Sequence, residues 1–218
     1  MRLPRPGRAP SRPASRRLQL GSFTTVVPGW LNTDVTLHIA VSRLPGAARA
    51  LRAAGRISAS RYAEHEQGLF RRLYYLDATK PFPFADGTFD YVFTSHMLEH
   101  LHPADGAACV SEVHRVLRPG GLVRVVVPDL DYHVERYDPR RPDDLLASIY
   151  SYEGRSREPS HRWWYNEHSL GDLFGRSGFA TWTRRAYREG RCPDLELLDS
   201  RPLSLFMEAE KAEGATRA

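Results

Sequence analysis

A strand, a helix and a second strand follow one another in the middle of the chain, and this pattern constrains the fold more than any other feature. Residues 89–94 are apolar and rich in β-forming side chains, and the helical segment after them ends at Pro119-Gly120-Gly121. Residues 122–127 are almost continuously apolar, which is typical of a strand covered on both faces. Strands joined by a helical crossover run parallel, so we predict an α/β protein with a mostly parallel sheet.

Weaker patterns predict the remaining elements of a single domain. Helical spacing runs from residue 40 to residue 70 with a break at Gly55, and a shorter helix covers 169–178. Apolar or alternating segments predict further strands at 18–20, 30–35 and 72–76, and a closing antiparallel pair at 179–183 and 203–207. No internal repeat and no second core is visible, so these elements form one domain.

The positive charge of the chain is concentrated at its start. The 218 residues carry 31 Lys+Arg against 26 Asp+Glu, a formal charge of +5. Six arginines and no acid lie within residues 1–17, so the remainder carries 25 basic and 26 acidic side chains. Four prolines also fall in that segment, and we predict a flexible basic arm over 1–17. The arm is either an untethered terminus or an anchor for nucleic acid or an anionic surface; a basic groove across the domain is not indicated.

Other sequence features exclude several classes of protein. Two cysteines, Cys109 and Cys192, provide neither a disulfide framework nor a metal-binding spacing. No run of 18 apolar residues is present, and the charged N-terminal segment lacks the apolar core of a secretory signal. We therefore expect a soluble cytoplasmic protein that does not act on a membrane.

Polar or small residues follow four of the predicted strands. They are Gly21-Ser22, Asp34, Asp77 and Ser95-His96. Ligands of open parallel sheets bind beyond the carboxyl ends of the strands, where a small residue admits a ligand to the backbone and an acid accepts hydroxyl or amine hydrogens. A nucleoside-containing cofactor would suit all of them together. An aspartate at a strand end, taken alone, is more often a turn former or a helix cap than a ligand-binding residue.

Four segments in combination resemble the class I S-adenosylmethionine-dependent methyltransferases, and most closely a small bacterial branch of them. The segments are PGWLNTD at 28–34, PFADGTFD at 83–90, SHMLEHL at 95–101 and LRPGG at 117–121. The resemblance covers residues 18–209, which leaves 210–218 as a disordered tail. It implies a Rossmann-like, doubly wound, mostly parallel seven-stranded sheet with helices on both faces, and S-adenosyl-L-methionine across the ends of the first four strands.

The resemblance also assigns cofactor-binding residues. Gly21 and Ser22 match the start of the glycine-rich first loop, and Asp34 matches the acid that binds the ribose. The remaining matches are Asp77 and Ala78 on the adenine side and Ser95 on the methionine side.

The first loop departs from the family pattern in two ways. Asp34 lies only 13 positions after Gly21, so the helix between those strands must be very short or absent. Phe23 occupies the place of a second glycine, and phenylalanine rarely adopts a positive φ. Either the loop is rearranged and the cofactor binds, or binding is weakened or lost; we expect it to be retained.

Histidines near the fourth strand are the candidate catalytic residues. His96 lies nearest the strand end and is placed to accept a proton from a methyl acceptor, with His161 as the second candidate. His96 and His100 share one helix face, but the pattern is not His-Glu-x-x-His. A metal site would need a third ligand such as His161, and we expect no metal. His100 is interpreted as capping or packing the helix.

A segment rich in aromatic and basic residues follows at 150–168. Its candidate substrate contacts are Arg162, Trp163, Trp164 and Tyr165. Such residues suit either a lid over an aromatic or sugar-like substrate or plain packing against the sheet, and the arginines suit an acidic group on the acceptor.

These observations predict an enzyme of biosynthesis that transfers a methyl group to an O or N atom of a small molecule, such as a saccharide or a secondary metabolite. One alternative is a protein of the same fold that performs other chemistry or has lost the cofactor, for which Phe23 is the evidence. Another alternative is an RNA-binding or RNA-methylating protein, which only the arginine-rich arm favours.

Overall fold

The computed structural model describes residues 15–150 and 161–213, apart from the side chains of 148–150. Seven strands in this part of the chain form one sheet. They are β1 (Arg17–Leu20), β2 (Leu31–Asp34), β3 (Tyr74–Tyr75), β4 (Phe89–Ser95), β5 (Leu117–Pro128), β6 (Thr181–Arg185) and β7 (Ser204–Glu210). The helices are α1 (His38–Val41), α2 (Ala47–Ala53), α3 (Ala59–Glu66), α4 (Pro103–Val116), α5 (Leu130–Glu135), α6 (Pro142–Tyr150), α7 (Glu167–Arg176) and α8 (Leu195–Leu198), with 3₁₀ turns at Leu69–Arg72 and Leu98–His100.

The sheet has the strand order β3-β2-β1-β4-β5-β7-β6. The first five strands in that order are parallel, whereas β7 runs antiparallel between β5 and β6. The chain reverses direction of winding between β1 and β4, and this switch point is where open α/β sheets bind their ligands. The predicted Rossmann-like, mostly parallel seven-stranded sheet is confirmed.

Both faces of the sheet are covered, as the side chains of β5 demonstrate. Val123, Val125 and Val127 are buried in the larger hydrophobic cluster, which includes residues of α4 and α7. Leu122 and Val126 point to the opposite face and pack in a second cluster with residues of α8. This alternation follows from the two-residue period of a strand. It explains why the segment is apolar almost throughout.

Some elements differ from the sequence prediction. β3 contains only two residues, Tyr74–Tyr75, instead of 72–76. β5 begins at Leu117, so the Pro119-Gly120-Gly121 segment lies within the strand and not between helix and strand. The helical segment predicted from residue 40 is divided by Gly46 as well as by Gly55, both at positive φ. No helix lies between β1 and β2, as the short loop required.

Ordered structure extends slightly beyond the predicted domain limits. β1 begins at Arg17, which the sequence placed in the arm. β7 continues to Glu210, and the ammonium of Lys211 donates hydrogen bonds to the carbonyl oxygens of His114 (2.9 Å) and Leu117 (2.8 Å). Residues 1–14 and 214–218, which carry most of the predicted arm and tail, lie outside the described residues. In the described part of the chain, no helix has the length and apolar character needed to cross a bilayer.

Candidate functional site

The loop after β1 is held close to the turn after β4. Gly21 has φ +64°, and a Cβ at this position would lie 2.6 Å from Cγ of Met97, so only glycine fits without a shift. The neighbouring Ser22 is buried, and its backbone N–H donates to the carbonyl oxygen of Thr33 at 3.0 Å. The loop is thereby fixed against β2 on one side and against Met97 on the other.

Phe23 adopts the positive φ that the sequence analysis regarded as unfavourable. Its φ is +42°, and its backbone N–H donates to Oδ2 of Asp34 at 2.9 Å. The ring stays 40% exposed and lies 4.4 Å from the guanidinium carbon of Arg61. The loop is therefore rearranged around phenylalanine, with the backbone conformation that a second glycine would provide.

Asp34 ends β2 and organises the same loop. In addition to the N–H of Phe23, its carboxylate accepts the N–H of Thr36 at 2.7 Å through Oδ1. Burial raises the pKa of Asp34 from its ordinary value, opposed by these backbone hydrogen bonds. Each carboxylate oxygen has two acceptor sites, so one site on each oxygen can still accept a hydroxyl hydrogen. The geometry therefore fits the ribose-binding role that the resemblance implies.

Asp77 and Ala78 have structural roles of their own. Oδ1 of Asp77 accepts hydrogen bonds from the backbone N–H (2.9 Å) and the hydroxyl (2.7 Å) of Thr79. This is the turn-forming interpretation that the sequence analysis left open. Ala78 packs against the larger hydrophobic cluster. The contact of these two residues with adenine stays a prediction.

A cavity of about 210 Å³ opens at the carboxyl ends of β1 and β4, and we call it the strand-end cavity. Its walls include Gly21, Ser22, Phe23, Ser95, His96, Gln19 and Arg201. It is smaller than the roughly 300–1,000 Å³ of sites that enclose a whole ligand of drug size. Asp34 and Asp77 are not among its lining residues, so it represents only part of a cofactor site.

One side chain of the cavity wall carries an unpartnered acceptor. Gln19 is 3% exposed, and its Oε1 has no hydrogen-bond partner among the described residues. Buried amide oxygens are nearly always hydrogen-bonded in native proteins, so an unpartnered one facing a cavity indicates a place for a donor group of a ligand.

His96 is held rigidly at the cavity wall. It has φ +49°, and its backbone N–H donates to the carbonyl oxygen of Val126 at 2.9 Å. Its Nδ1 lies 3.1 Å from Oε1 of Glu99, and its Nε2 lies 3.0 Å from Oγ of Ser204. In the tautomer with the hydrogen on Nδ1, the Glu99 carboxylate accepts that hydrogen and the lone pair of Nε2 accepts the hydroxyl of Ser204. A strained backbone at a cavity wall is typical of functional residues.

His161 is brought near this turn but is not part of the cavity wall. Its ring centroid lies 5.0 Å from that of His100 and 5.4 Å from that of Trp164. Burial lowers the pKa of His161. The backbone N–H groups of Arg162 and Trp163 donate to the carbonyl oxygen of Glu99 at 2.8 and 3.1 Å, while both side chains are exposed.

Tyr165 corrects one of the predicted substrate contacts. The side chain is 4% exposed and packs in the larger hydrophobic cluster, where its hydroxyl lies against Gly106 of α4. Burial raises the pKa of this phenol to about 12. Tyr165 is therefore a core residue, and its burial against α4 argues against the predicted contact with substrate. Residues 151–160 of the aromatic segment lie outside the described residues.

Comparison with known proteins identifies the domain. Residues 46–125 match the family described as "Methyltransferase domain". These residues form a methyltransferase domain. It is 33% identical over 110 residues to an uncharacterized methyltransferase of Synechocystis sp., a match that covers 50% of this chain and 46% of that protein. The chain thus spans about half the length of the curated relative it matches.

Solved structures share the fold of this methyltransferase domain. The carbon methyltransferase of CurJ superposes with a TM-score of 0.51 and 16% identity, covering 94% of this chain and 50% of that one. A methyltransferase from Methanosarcina mazei superposes with a TM-score of 0.50 and 19% identity, covering 91% of this chain and 92% of that one. At these identities the likeness extends to the fold alone.

Several site residues of the methyltransferase domain were missed in the sequence. Gln19 has the pattern of an ordinary polar residue in a strand of alternating polarity. Arg201 and Ser204 lie near the last strand, in a segment that contains no recognisable motif. Glu99 stands between two histidines in the sequence, and nothing local indicates that it is completely buried. Its position between them within SHMLEHL was the one available signal.

Proposed function

We propose that the domain transfers a methyl group from S-adenosylmethionine to an O or N atom of a small-molecule acceptor. The observation that carries this proposal is that His96 lines the same strand-end cavity as Gly21 and Ser22. A proton acceptor and the family's cofactor loop thus border the same space.

The chain offers partners for each polar part of the cofactor. The unpartnered Oε1 of Gln19 suits an ammonium group, and the guanidinium of Arg201 suits a carboxylate. The carboxylate of Asp34, outside the cavity, suits the ribose hydroxyls, and Ser95 lines the strand-end cavity together with Gln19 and Arg201. When bound, the cofactor supplies a methyl group already activated on a sulfonium, so the protein contributes mainly position and exclusion of water.

His96 then acts as the general base. Its Nε2 accepts the proton that the acceptor oxygen or nitrogen loses as that atom gains the methyl group. Glu99 keeps Nδ1–H in place and stabilises the imidazolium that results. Oγ of Ser204 lies 3.0 Å from Nε2, and a bound acceptor would replace this hydroxyl as the partner of Nε2. Base catalysis of this kind contributes about 10²–10⁴-fold to the rate.

The acceptor class is inferred from the segment tied to Glu99. Trp163 is 47% exposed, and the neighbouring Arg162 is exposed as well. An aromatic face beside a guanidinium suits a ring-shaped acceptor with an acidic group, such as a saccharide or a secondary metabolite. Trp164 is half-buried, and its ring contacts the rings of His133 and His161. It therefore packs against the protein and holds the adjacent exposed residues in place.

A second candidate is a protein of the same fold that does not bind the cofactor. Phe23 favours it, since this residue lines the strand-end cavity in place of a glycine. The RNA-binding alternative depends on the arginine-rich arm, and nothing in residues 15–150 and 161–213 favours it. Cytoplasmic location likewise stays a prediction.

Calorimetric titration of the full chain with S-adenosylmethionine and S-adenosylhomocysteine separates the two candidates. We expect one site for each compound, together with transfer of a labelled methyl group to members of a panel of sugars, phenols and amines. Absence of heat with both compounds would establish the second candidate. Binding without transfer to any acceptor, in a panel that includes RNA, would refute the proposed acceptor class.

A further inference from the structure

Three potential metal ligands converge beside His96. They are Glu99, His100 and His161, and one ligand atom from each lies within 4.8 Å of the other two. Glu99 and His100 belong to the 3₁₀ turn after β4, whereas His161 is distant in sequence and precedes α7. The sequence analysis expected no metal because the histidine spacing matched no known motif. In the structure the cluster contains Glu99 and His161 and leaves out His96.

The same three residues each present a buried polar atom without a partner. Glu99 is 0% exposed and its Oε2 makes no hydrogen bond, and Nδ1 of His100 and Nδ1 of His161 are also buried and unpaired, within the part of the chain that the structure describes. Buried carboxylate oxygens and imidazole nitrogens are rarely left unpaired in native proteins. Three such atoms in one cluster indicate that something else binds there.

The surroundings hold the cluster in a ligating arrangement. Oε1 of Glu99 is already bonded to His96, which leaves Oε2 for a further partner. The carbonyl oxygen of Glu99 accepts the N–H groups of Arg162 and Trp163, and these bonds keep the adjacent His161 beside the turn. Hydrogen bonds that orient a carboxylate and its neighbours are characteristic of metal sites.

We propose that Glu99, His100 and His161 bind one divalent transition-metal ion of the zinc type. Two imidazole nitrogens and one carboxylate oxygen form a donor set that Zn²⁺ occupies in proteins, whereas Mg²⁺ and Ca²⁺ prefer oxygen ligands alone. Three protein ligands leave a fourth position open for water or a substrate oxygen. Through Glu99, the ion is linked to His96 and thus to the strand-end cavity. The site does not depend on methyl transfer.

Metal binding by the purified full chain, without a histidine tag and after treatment with a chelator, tests the proposal. We expect the wild type to bind one equivalent of Zn²⁺ in calorimetry and after equilibrium dialysis, with Co²⁺ producing a visible absorption band. Mg²⁺ should not compete. His161→Ala and Glu99→Gln should weaken Zn²⁺ binding at least about tenfold. His102→Ala is the matched control, since His102 is exposed and outside the cluster, and it should bind as the wild type does.

The variants must be shown to be folded, by circular dichroism and by their urea midpoints, before their affinities are compared. His161→Ala is the decisive variant because His161 is only partly buried and makes no hydrogen bond through Nδ1. Absence of Zn²⁺ binding by the wild type would overturn the proposal. Binding that His161→Ala leaves unchanged would also overturn it, because the ion would then lie elsewhere.

Discussion

The backbone N–H of Phe23 donates a 2.9 Å hydrogen bond to Oδ2 of Asp34. This bond joins the loop after β1 to the end of β2, the two places from which the resemblance derives three of its six cofactor-binding residues. It forms only because Phe23 accepts a φ of +42°. Adoption of the left-handed region by an ordinary residue costs about 1–2 kcal/mol, which the bond and the contact of the ring with Arg61 offset.

Substitution of Phe23 should therefore distinguish backbone strain from ring contacts. We expect Phe23→Val to lower the free energy of unfolding by about 1–2 kcal/mol, because β-branched residues are the least tolerant of positive φ. Phe23→Gly should stay within about 1 kcal/mol of the wild type and bind S-adenosylhomocysteine at least as well. Urea unfolding and calorimetry measure the two effects. A valine variant as stable as the wild type would contradict the claim that the positive φ at residue 23 is strained.

His96→Asn should separate catalysis from folding and cofactor binding. Asparagine tolerates the positive φ at this position better than most residues, so the variant should fold. Loss of the imidazole should lower the turnover number for methyl transfer by about 10²–10⁴-fold. The affinity for S-adenosylhomocysteine should change little. His102→Asn is the control, and similar losses in both variants would exclude a role of His96 as the base.

The central fold could be predicted because its signals are local. The apolar period of β4 and β5 and the turn residues around α4 specify a crossover without reference to distant parts of the chain. Gly21, Ser22, Ser95 and His96 were correctly placed at one cavity because the ends of parallel strands meet at the same edge of a sheet. The seven-stranded, doubly wound arrangement was implied only by the family resemblance, and the strand order comes from the structure.

Other parts of the site depend on tertiary contacts that no short segment encodes. The burial of Tyr165 is decided by the approach of α4 at Gly106. The positive φ of Phe23 is stabilised by Asp34 and Arg61, which lie 11 and 38 positions away. The convergence of Glu99 with His161 requires the backbone bonds from residues 162 and 163. Such features follow from packing and not from propensity.

Asp199→Ala should destabilise the protein much more than removal of a surface acid. Arg124 is completely buried, and its Nη2 lies 2.6 Å from Oδ2 of Asp199. Without Asp199 the buried guanidinium loses its main partner, and we expect the free energy of unfolding to fall by about 3–5 kcal/mol. Asp86→Ala is the control, since Asp86 is 79% exposed in its pair with Arg115 and such pairs contribute at most about 1 kcal/mol. Urea unfolding of both variants measures the difference, and equal losses would contradict the prediction.

The contact between His38 and His65 should make the protein sensitive to mild acid. Nδ1 of His38 lies 2.9 Å from Nε2 of His65, and both rings pack on Phe70. Burial lowers the pKa of each histidine below its ordinary value of 6.5, and the charge of Arg61 acts in the same direction. Protons therefore bind more readily to the unfolded chain. The contribution of the two histidines to the free energy of unfolding is complete above pH 6.5, and it declines as the pH falls below that value.

The variant that removes both titrating groups is His38→Gln with His65→Gln. Between about pH 7.5 and about pH 5.5 its melting temperature should fall less than that of the wild type. His168→Gln serves as the control, because the side chain of His168 is 85% exposed and lies outside this contact. Thermal melts at several pH values measure how the melting temperature of each protein changes with pH. A double variant whose melting temperature declines as steeply as that of the wild type would show that other groups cause the acid sensitivity.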